Sequence, residues 1–403
     1  MRPHTPEVGH PGDMQINQLL ALMRELEEIA PWWRGWSRPI DAAEVARFEV
    51  THAITLPSGY RQVLEAIGDH APLPARPGGA VLPLAEARAL PTASAFLGPL
   101  CSPFPHSGAA AVEIAWDEIS DDYEDPAWLR GCLPLAGAGC DESYVLVVTG
   151  PDRGRVWGVT PSGSPQLHPT GLEFTRWYQA ELERGLAPAR ARVRELAALE
   201  RRLADADDVD QEAAIALGRA LLFEDRARAE SLLEQAWARV GAGTRELDRA
   251  ITELDLLTGR VDRLDAIAAQ GDPWLRAHAA IGAVRAGDDQ RGLEWFAGGG
   301  HPATLAPLVA GYHGLALWRS GQPERALEVL RAGATSLANV ALAAKIQAEL
   351  GEVEAARTSW QRVRLGLTHA PEQPPQRPQL ASFIALATPE LTEVDAALAG
   401  LSE

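Results

Sequence analysis

Residues 131–160 read GCLPLAGAGCDESYVLVVTGPDRGRVWGVT, and this stretch decides the fold. Three short runs rich in β-branched and apolar residues, at 132–136, 144–149 and 155–160, predict strands. GPDRG at 150–154 separates the last two. Glycine and proline so close together mark a tight turn, so these two strands are expected to pair as a hairpin. Working outward, AVLPL at 80–84 predicts a further strand and residues 165–168 a short edge strand. From about residue 171 to 186 a helix is expected, with Phe174, Trp177, Tyr178 and Leu182 on one face.

Further upstream the period becomes helical. INQLLALMRELEEI, residues 16–29, spaces Ile16, Leu19, Leu20, Met23, Leu26 and Ile29 as the apolar face of an amphipathic helix, which Pro31 ends. Asp41 is a candidate N-cap for a second helix. LPSGYRQVLEAIG, residues 56–68, predicts a third, with Ser58 as N-cap and Gly68 as its stop. PWWRGW brings Trp32, Trp33 and Trp36 together, as a lid over the first helix or sheet or as an exposed stacking cluster. Helices flanking a mostly antiparallel sheet give an α+β domain over residues 1–186.

Beyond residue 186 strand signals vanish and a repeat emerges. FEDRARAESLL, TGRVDRLDAIA, AGDDQRGLEWF, SGQPERALEVL and LGEVEAARTSW align with a turn residue at Glu224, Gly259, Gly287, Gly321 and Gly351. Five positions on comes a small or apolar residue: Ala229, Leu264, Gly292, Ala326 and Ala356. Larger residues follow, among them Leu233, Ile267, Phe296, Leu330 and Trp360. The small residue lets two helices approach, and the larger ones fill the groove to the next pair. Pairs that cannot bury their own faces stack into a solenoid, so residues 187–403 are expected to be an all-α helical-repeat array. A last helical segment is expected over 390–401, after the Pro-rich run THAPEQPPQRPQ.

Two resemblances follow from these segments. LALWRSGQPERALEVL is similar to the tetratricopeptide family, whose 34-residue period the turn spacings bracket. Residues 49–186 resemble the SUKH superfamily. The LPSGY block with Gly68, the 80–84 segment, the GP-x-x-G turn, the strand carrying Trp157 and the helix with Phe174, Trp177 and Tyr178 carry the likeness. It implies a sheet-based binding module without chemistry. Such proteins are commonly bacterial immunity proteins that block a toxin domain, often a nuclease or a deaminase. Fungal relatives act in regulation.

Composition narrows the choice. The formal net charge is -18, larger in the first half than in the second, and Lys345 is the sole lysine. Such a surface repels phosphate backbones and attracts a basic partner, so no nucleic-acid partner is expected. No long apolar run predicts a membrane span, and the N-terminus lacks the pattern of a secretory signal, so a cytoplasmic location is expected. Cys101, Cys132 and Cys140 make neither a disulfide framework nor a zinc spacing. No P-loop, nucleophile elbow or H-E-x-x-H occurs. No catalytic residue, cofactor or metal is therefore expected. His278, His313 and His301 read as packing or loop residues.

The segment 91–130 reads as an insertion. It holds Glu113, Asp117, Glu118, Asp121, Asp122, Glu124 and Asp125 with no base among them, interleaved with Trp116, Tyr123 and Trp128. Acids around aromatic anchors suit the docking of a basic protein; a solvated loop with inward aromatics fits the same residues. The partner-binding candidates are Asp117, Glu118, Asp121, Asp122, Tyr123, Glu124 and Asp125, with Asp141 and Glu142. The expected function is non-catalytic protein binding, as an immunity protein that occludes a basic toxin domain, with the repeats offered to a second protein. A regulatory scaffold gripping endogenous partners is the alternative.

Overall fold

The computed structural model describes residues 11–35, 37–76, 79–84, 99–113, 129–139, 142–160, 166–205, 210–300, 302–333, 335–368 and 379–401. The described residues up to Arg194 form one compact unit, and those from Glu195 onward form a second.

The first unit opens with α1 (Pro11–Ile29), a 3-10 turn (Pro31–Trp33), α2 (Ala42–His52) and α3 (Ser58–Ala66). Its strands are β1 (Val112–Glu113), β2 (Cys132–Gly139), β3 (Glu142–Val147), β4 (Arg155–Thr160) and β5 (Gln166–Glu173), and α4 (Phe174–Asp205) follows. Strand order is β1-β5-β4-β3-β2, every pair antiparallel. The hairpin expected from GPDRG is β3–β4, with Val145 opposite Trp157 and Leu146 opposite Val156. Gly154 closes it by donating its N–H to the Val147 carbonyl at 2.8 Å.

Both faces of this sheet are apolar, which explains why its strands read as continuous runs and not as alternations. Leu133, Leu135, Leu146, Val148 and Val156 face a core made with Leu19, Met23 and Leu26 of α1, Tyr60, Val63 and Leu64 of α3, and Phe174, Trp177, Tyr178 and Leu182 of α4. Each such side chain contributes about 1.5–3 kcal/mol by leaving water. Cys132, Val145, Val147, Trp157, Val159 and Leu167 face the other way, against Phe104 and Leu129. Trp33 is buried in the first core with Trp32 packed half-buried against it, so these two tryptophans form a lid over helix α1.

Four local expectations need correction. The 80–84 segment is not a strand. Pro83 has no N–H, and the segment's bond to the sheet is Leu82 N–H to the Leu135 carbonyl at 2.6 Å. Ser58 caps nothing: it lies within the first turn of α3, where Pro57 is the N-cap residue without a side-chain bond. The strand expected at 165–168 is the eight-residue β5, flanked on its outer side by β1, so it is not an edge. The helix expected to end at residue 186 continues through Pro188 to Asp205. Alanine and arginine on both sides are strong helix formers, and Leu196, Leu199 and Leu203 resume the apolar spacing against the core of the second unit. Asp41 does cap α2, accepting the N–H of Ala43 at 2.9 Å.

In the second unit helices come in antiparallel pairs: α5 (Gln211–Leu221) with α6 (Arg226–Val240), α7 (Arg245–Thr258) with α8 (Leu264–Ala268), α9 (Pro273–Arg285) with α10 (Asp289–Ala297), α11 (Ala306–Arg319) with α12 (Pro323–Ala332), and α13 (Leu337–Glu349) with α14 (Val353–Thr368). The aligned glycines Gly259, Gly287, Gly321 and Gly351 sit at the turns with φ of +74° to +87°. The small residues pack as the alignment requires: Ala229, Ala326 and Ala356 are fully buried, and a Cβ on Gly292 would lie 2.3 Å from Val284 Cγ2. First helices touch first helices along the stack and so form one layer. Two further helices, α15 (Leu380–Ile384) and α16 (Leu391–Gly400), follow the last pair. Glu390 and Glu393 make a reciprocal capping box at the start of α16. No helix among the described residues is long and apolar enough to cross a membrane.

Candidate partner-binding surfaces

Of the candidate contact residues, Asp117, Glu118, Asp121, Asp122, Tyr123, Glu124, Asp125 and Asp141 lie outside the described residues, as do Cys140, Trp36 and His301. Glu142 is described. It opens β3, is exposed, and pairs in register with Gly139 of β2 at the tip of that hairpin. A carboxylate there meets solvent at the end of the sheet.

Just inside the same strand begins a polar cluster that sequence reasoning missed. Glu181 of α4 is 2% exposed and accepts both Arg76 Nε and Arg76 Nη2 at 2.6 Å, with Arg184 as a third donor. The Arg76 guanidinium lies over the Tyr144 ring, 4.6 Å from its centroid. Hydrogen bonding to Glu181 pushes the Arg76 pKa above its usual value. This geometry ties the loop before β1 to α4 beside β3, a positioning role. Two buried charges separated by about a hundred residues leave no local pattern, so no sequence signal could have found them.

The second unit holds a comparable cluster. Asp255 of α7 is fully buried and receives the Arg263 guanidinium at both oxygens, with Nε to Oδ2 at 3.1 Å. Arg263 also reaches Glu234, and Arg260 reaches Glu230, Glu234 and Asp255. Burial pushes the Asp255 carboxyl up while the two guanidinium groups pull it down. A cavity of about 130 Å³ beside it is lined by Leu256, Gly259, Arg260, Val261, Gly282 and Arg285. Asp255 is held by two arginines, and burial leaves its carboxyl above the usual carboxylate range.

His278 and His313 behave as packing residues. His278 is buried and stacked on Trp274, 3.8 Å between centroids, and its Nδ1–H donates to the Trp274 carbonyl at 2.8 Å. His313 stacks on Phe296. Burial, with Arg249 adding to it, depresses His278 to about 4. The unfolded chain therefore takes up this proton near pH 6.5, the folded one only near 4, and stability falls as pH drops through that window. The loss from this residue approaches about 3 kcal/mol. Urea midpoints of the native chain measured from pH 7 to pH 4 should fall more steeply than those of His278→Phe; parallel curves would refute the assignment.

Cys101 is exposed and Cys132 buried, both as thiols, and burial pushes the Cys132 thiol well up, away from reactivity. Among the described residues no three His, Cys, Asp or Glu side chains are grouped to hold a metal ion.

The surface that sequence reasoning did not foresee lies on the first-helix layer of the stack. Segment 379–390, with α15 at its start, runs back over that layer. Ile384 is fully buried among Leu256 of α7, Ala277, Ala280 and Ile281 of α9, and Val309 and Tyr312 of α11. Phe383 stacks on Phe223 at 5.3 Å, and Leu386 reaches Gly311 of α11. No family model, curated protein or solved structure matches the chain.

Proposed function

We propose that the chain is a protein-binding protein that acts by occupancy, without turnover, as an immunity protein of the SUKH type covering a basic toxin domain. What supports the reading is the stack of helix pairs: its layer of first helices already carries a strip of chain, segment 379–390, laid across it, the way a partner chain would be held. The SUKH assignment rests on the sequence resemblance carried by residues 49–186; the first unit supplies an antiparallel five-stranded sheet with helices, the coarse class that reading needs. A net charge of -18 adds long-range attraction for a basic partner. The array reads as tetratricopeptide-like, and the cytoplasm is the compartment that this function requires. Asp117, Glu118, Asp121, Asp122, Tyr123, Glu124 and Asp125, with Asp141 and Glu142, are the proposed contacts.

Co-expression with the C-terminal toxin domain of a large secreted protein encoded beside this chain tests the reading. Growth should be restored by at least about a hundredfold in colony count, and absence of rescue removes the immunity function. Affinity for the toxin domain should fall at least tenfold between low salt and about 0.5 M, because acidic steering is screened. Reversing the charges of Asp121, Asp122, Glu124 and Asp125 should weaken binding; unchanged affinity rejects the patch. The chain segment seated on the array favours a second reading, a regulatory scaffold for endogenous proteins, and capture of such a partner in place of a toxin would establish it.

A further inference from the structure

The geometry points to segment 379–389 as a displaceable internal occupant of a peptide seat on the first-helix layer, a seat that takes an uncharged apolar segment of a partner in its place. The inference rests on reading the array as a protein-binding surface.

Four observations carry it. First, the segment is held at few points. Ile384 is fully buried and Leu386 partly so, whereas Phe383 is 46% exposed and Ala381, Ser382, Ala385, Ala387 and Thr388 are exposed. A core helix of similar length in this unit buries most of its residues; α9 buries nine of its own. Second, among the described residues no hydrogen bond joins the segment to the array. α15 is a single turn closed by Ser382 N–H to the Gln379 carbonyl, and its C-terminal residue makes no capping bond. Third, QLASFIALATP has no charged residue from Gln379 to Pro389, in a chain with net charge -18. It is apolar bait matched to an apolar seat. Fourth, the fit is incomplete. A cavity of about 220 Å³ remains beside the segment, lined by Pro307, Leu308, Ser336, Ala338, Asn339 and Leu386. A partner with a larger side chain at the Leu386 position fills that space and outcompetes the resident segment.

The seat reads three side chains. An aromatic ring lies on Phe223, the next residue enters the Leu256–Ile281–Tyr312 pocket, and an aliphatic residue two further on meets Gly311. The occupant is therefore a partner segment with an aromatic–aliphatic–x–aliphatic pattern and no charge.

The test uses the purified full chain and a fluorescent synthetic peptide, QLASFIALATPE, with no toxin present, so its failure is separate from failure of the immunity reading. The variant F383S/I384S/L386S, which empties the seat, should bind the peptide saturably and at least tenfold more tightly than the native chain. Replacing the isoleucine of the peptide by serine should abolish binding. Equal affinity for both chains, or no binding to a variant with a native circular-dichroism spectrum, overturns the proposal. So does a native dimer that the variant abolishes, since a second copy then owns the seat. Should the variant lose helical structure, hydrogen exchange on the native chain decides: amides at 381–388 exchanging at least a hundredfold faster than those of α7 and α11 support displacement, and equal protection overturns it.

Discussion

Replacing Gly68 by alanine is expected to unfold the first unit at temperatures the native chain withstands. Gly68 follows α3 with φ +131°, outside the left-handed region that asparagine or alanine tolerates, and a Cβ there would lie 2.2 Å from the Arg38 carbonyl oxygen and 2.4 Å from its carbon. Both obstructing atoms belong to the backbone, so no rotamer change relieves the contact. The Arg38 strand of chain is itself pinned, since Ile40 N–H donates to Leu64 and Ser37 Oγ to Ile67. Backbone strain of about 1–3 kcal/mol and overpacking of about the same size add, giving a loss of roughly 3–6 kcal/mol. The turn glycines of the helix pairs make the control. Gly287, Gly321 and Gly351 also have positive φ, but nothing lies within 4 Å of their absent Cβ. Gly321→Asn should cost about 1 kcal/mol or less. Denaturant unfolding that placed the two variants together would refute this ranking.

Glu181→Ala is expected to rank second. It strands the Arg76 guanidinium, which is 16% exposed, with no other carboxylate paired to it among the described residues. Removing one partner of such a buried pair costs about 3–5 kcal/mol, far more than the pair's net worth, because a desolvated charge is left behind. The double variant R76L/E181L should therefore recover most of the loss, a reversal that a merely additive contact cannot produce. Glu181→Gln should fall between them, since the amide still accepts one bond. A double variant less stable than E181A would show that the Tyr144 face alone is enough to hold the unpaired Arg76.

The contrast between these residues shows where the sequence is legible. GPDRG, Asp41 and the four turn glycines could be read because their conformation is fixed by the residue itself and its immediate neighbours. The α+β character of the first half and the helix pairing of the second follow from periodicity in the same local way. Gly68 could be recognised as a helix stop, but its contact with Arg38 depends on a chain thirty residues away. The 80–84 segment misled because AVLPL has strand composition, while Pro83 lacks the donor that pairing demands. Helix α4 misled in the opposite direction: its apolar face was followed only to residue 186, and packing by Leu196, Leu199 and Leu203 carries the helix on through Pro188. The candidate contact site was read from acids interleaved with aromatic residues, and of its members only Glu142, which is exposed, lies among the described residues. The seat for 379–389 was invisible because it depends on three small or apolar surfaces from different helices meeting one short uncharged stretch.

The returning C-terminal segment also changes how the array should come apart. Repeats that touch only their neighbours melt like a row of weakly coupled blocks, fraying from the ends. Here the segment joins the first pair to the last: Phe383 rests on Phe223, Ile384 bridges α7, α9 and α11, and α16 packs through Val394 onto Val340, Trp360 and Val363. While it is seated, a strip of chain that spans the row couples the blocks; once it is displaced they return to melting one by one. It also adds contacts of very high sequence separation, which form late and slow the search for the native state. With the segment seated the array is thus expected to melt more nearly as one, at the expense of rapid assembly, and with the segment displaced to fray from its ends.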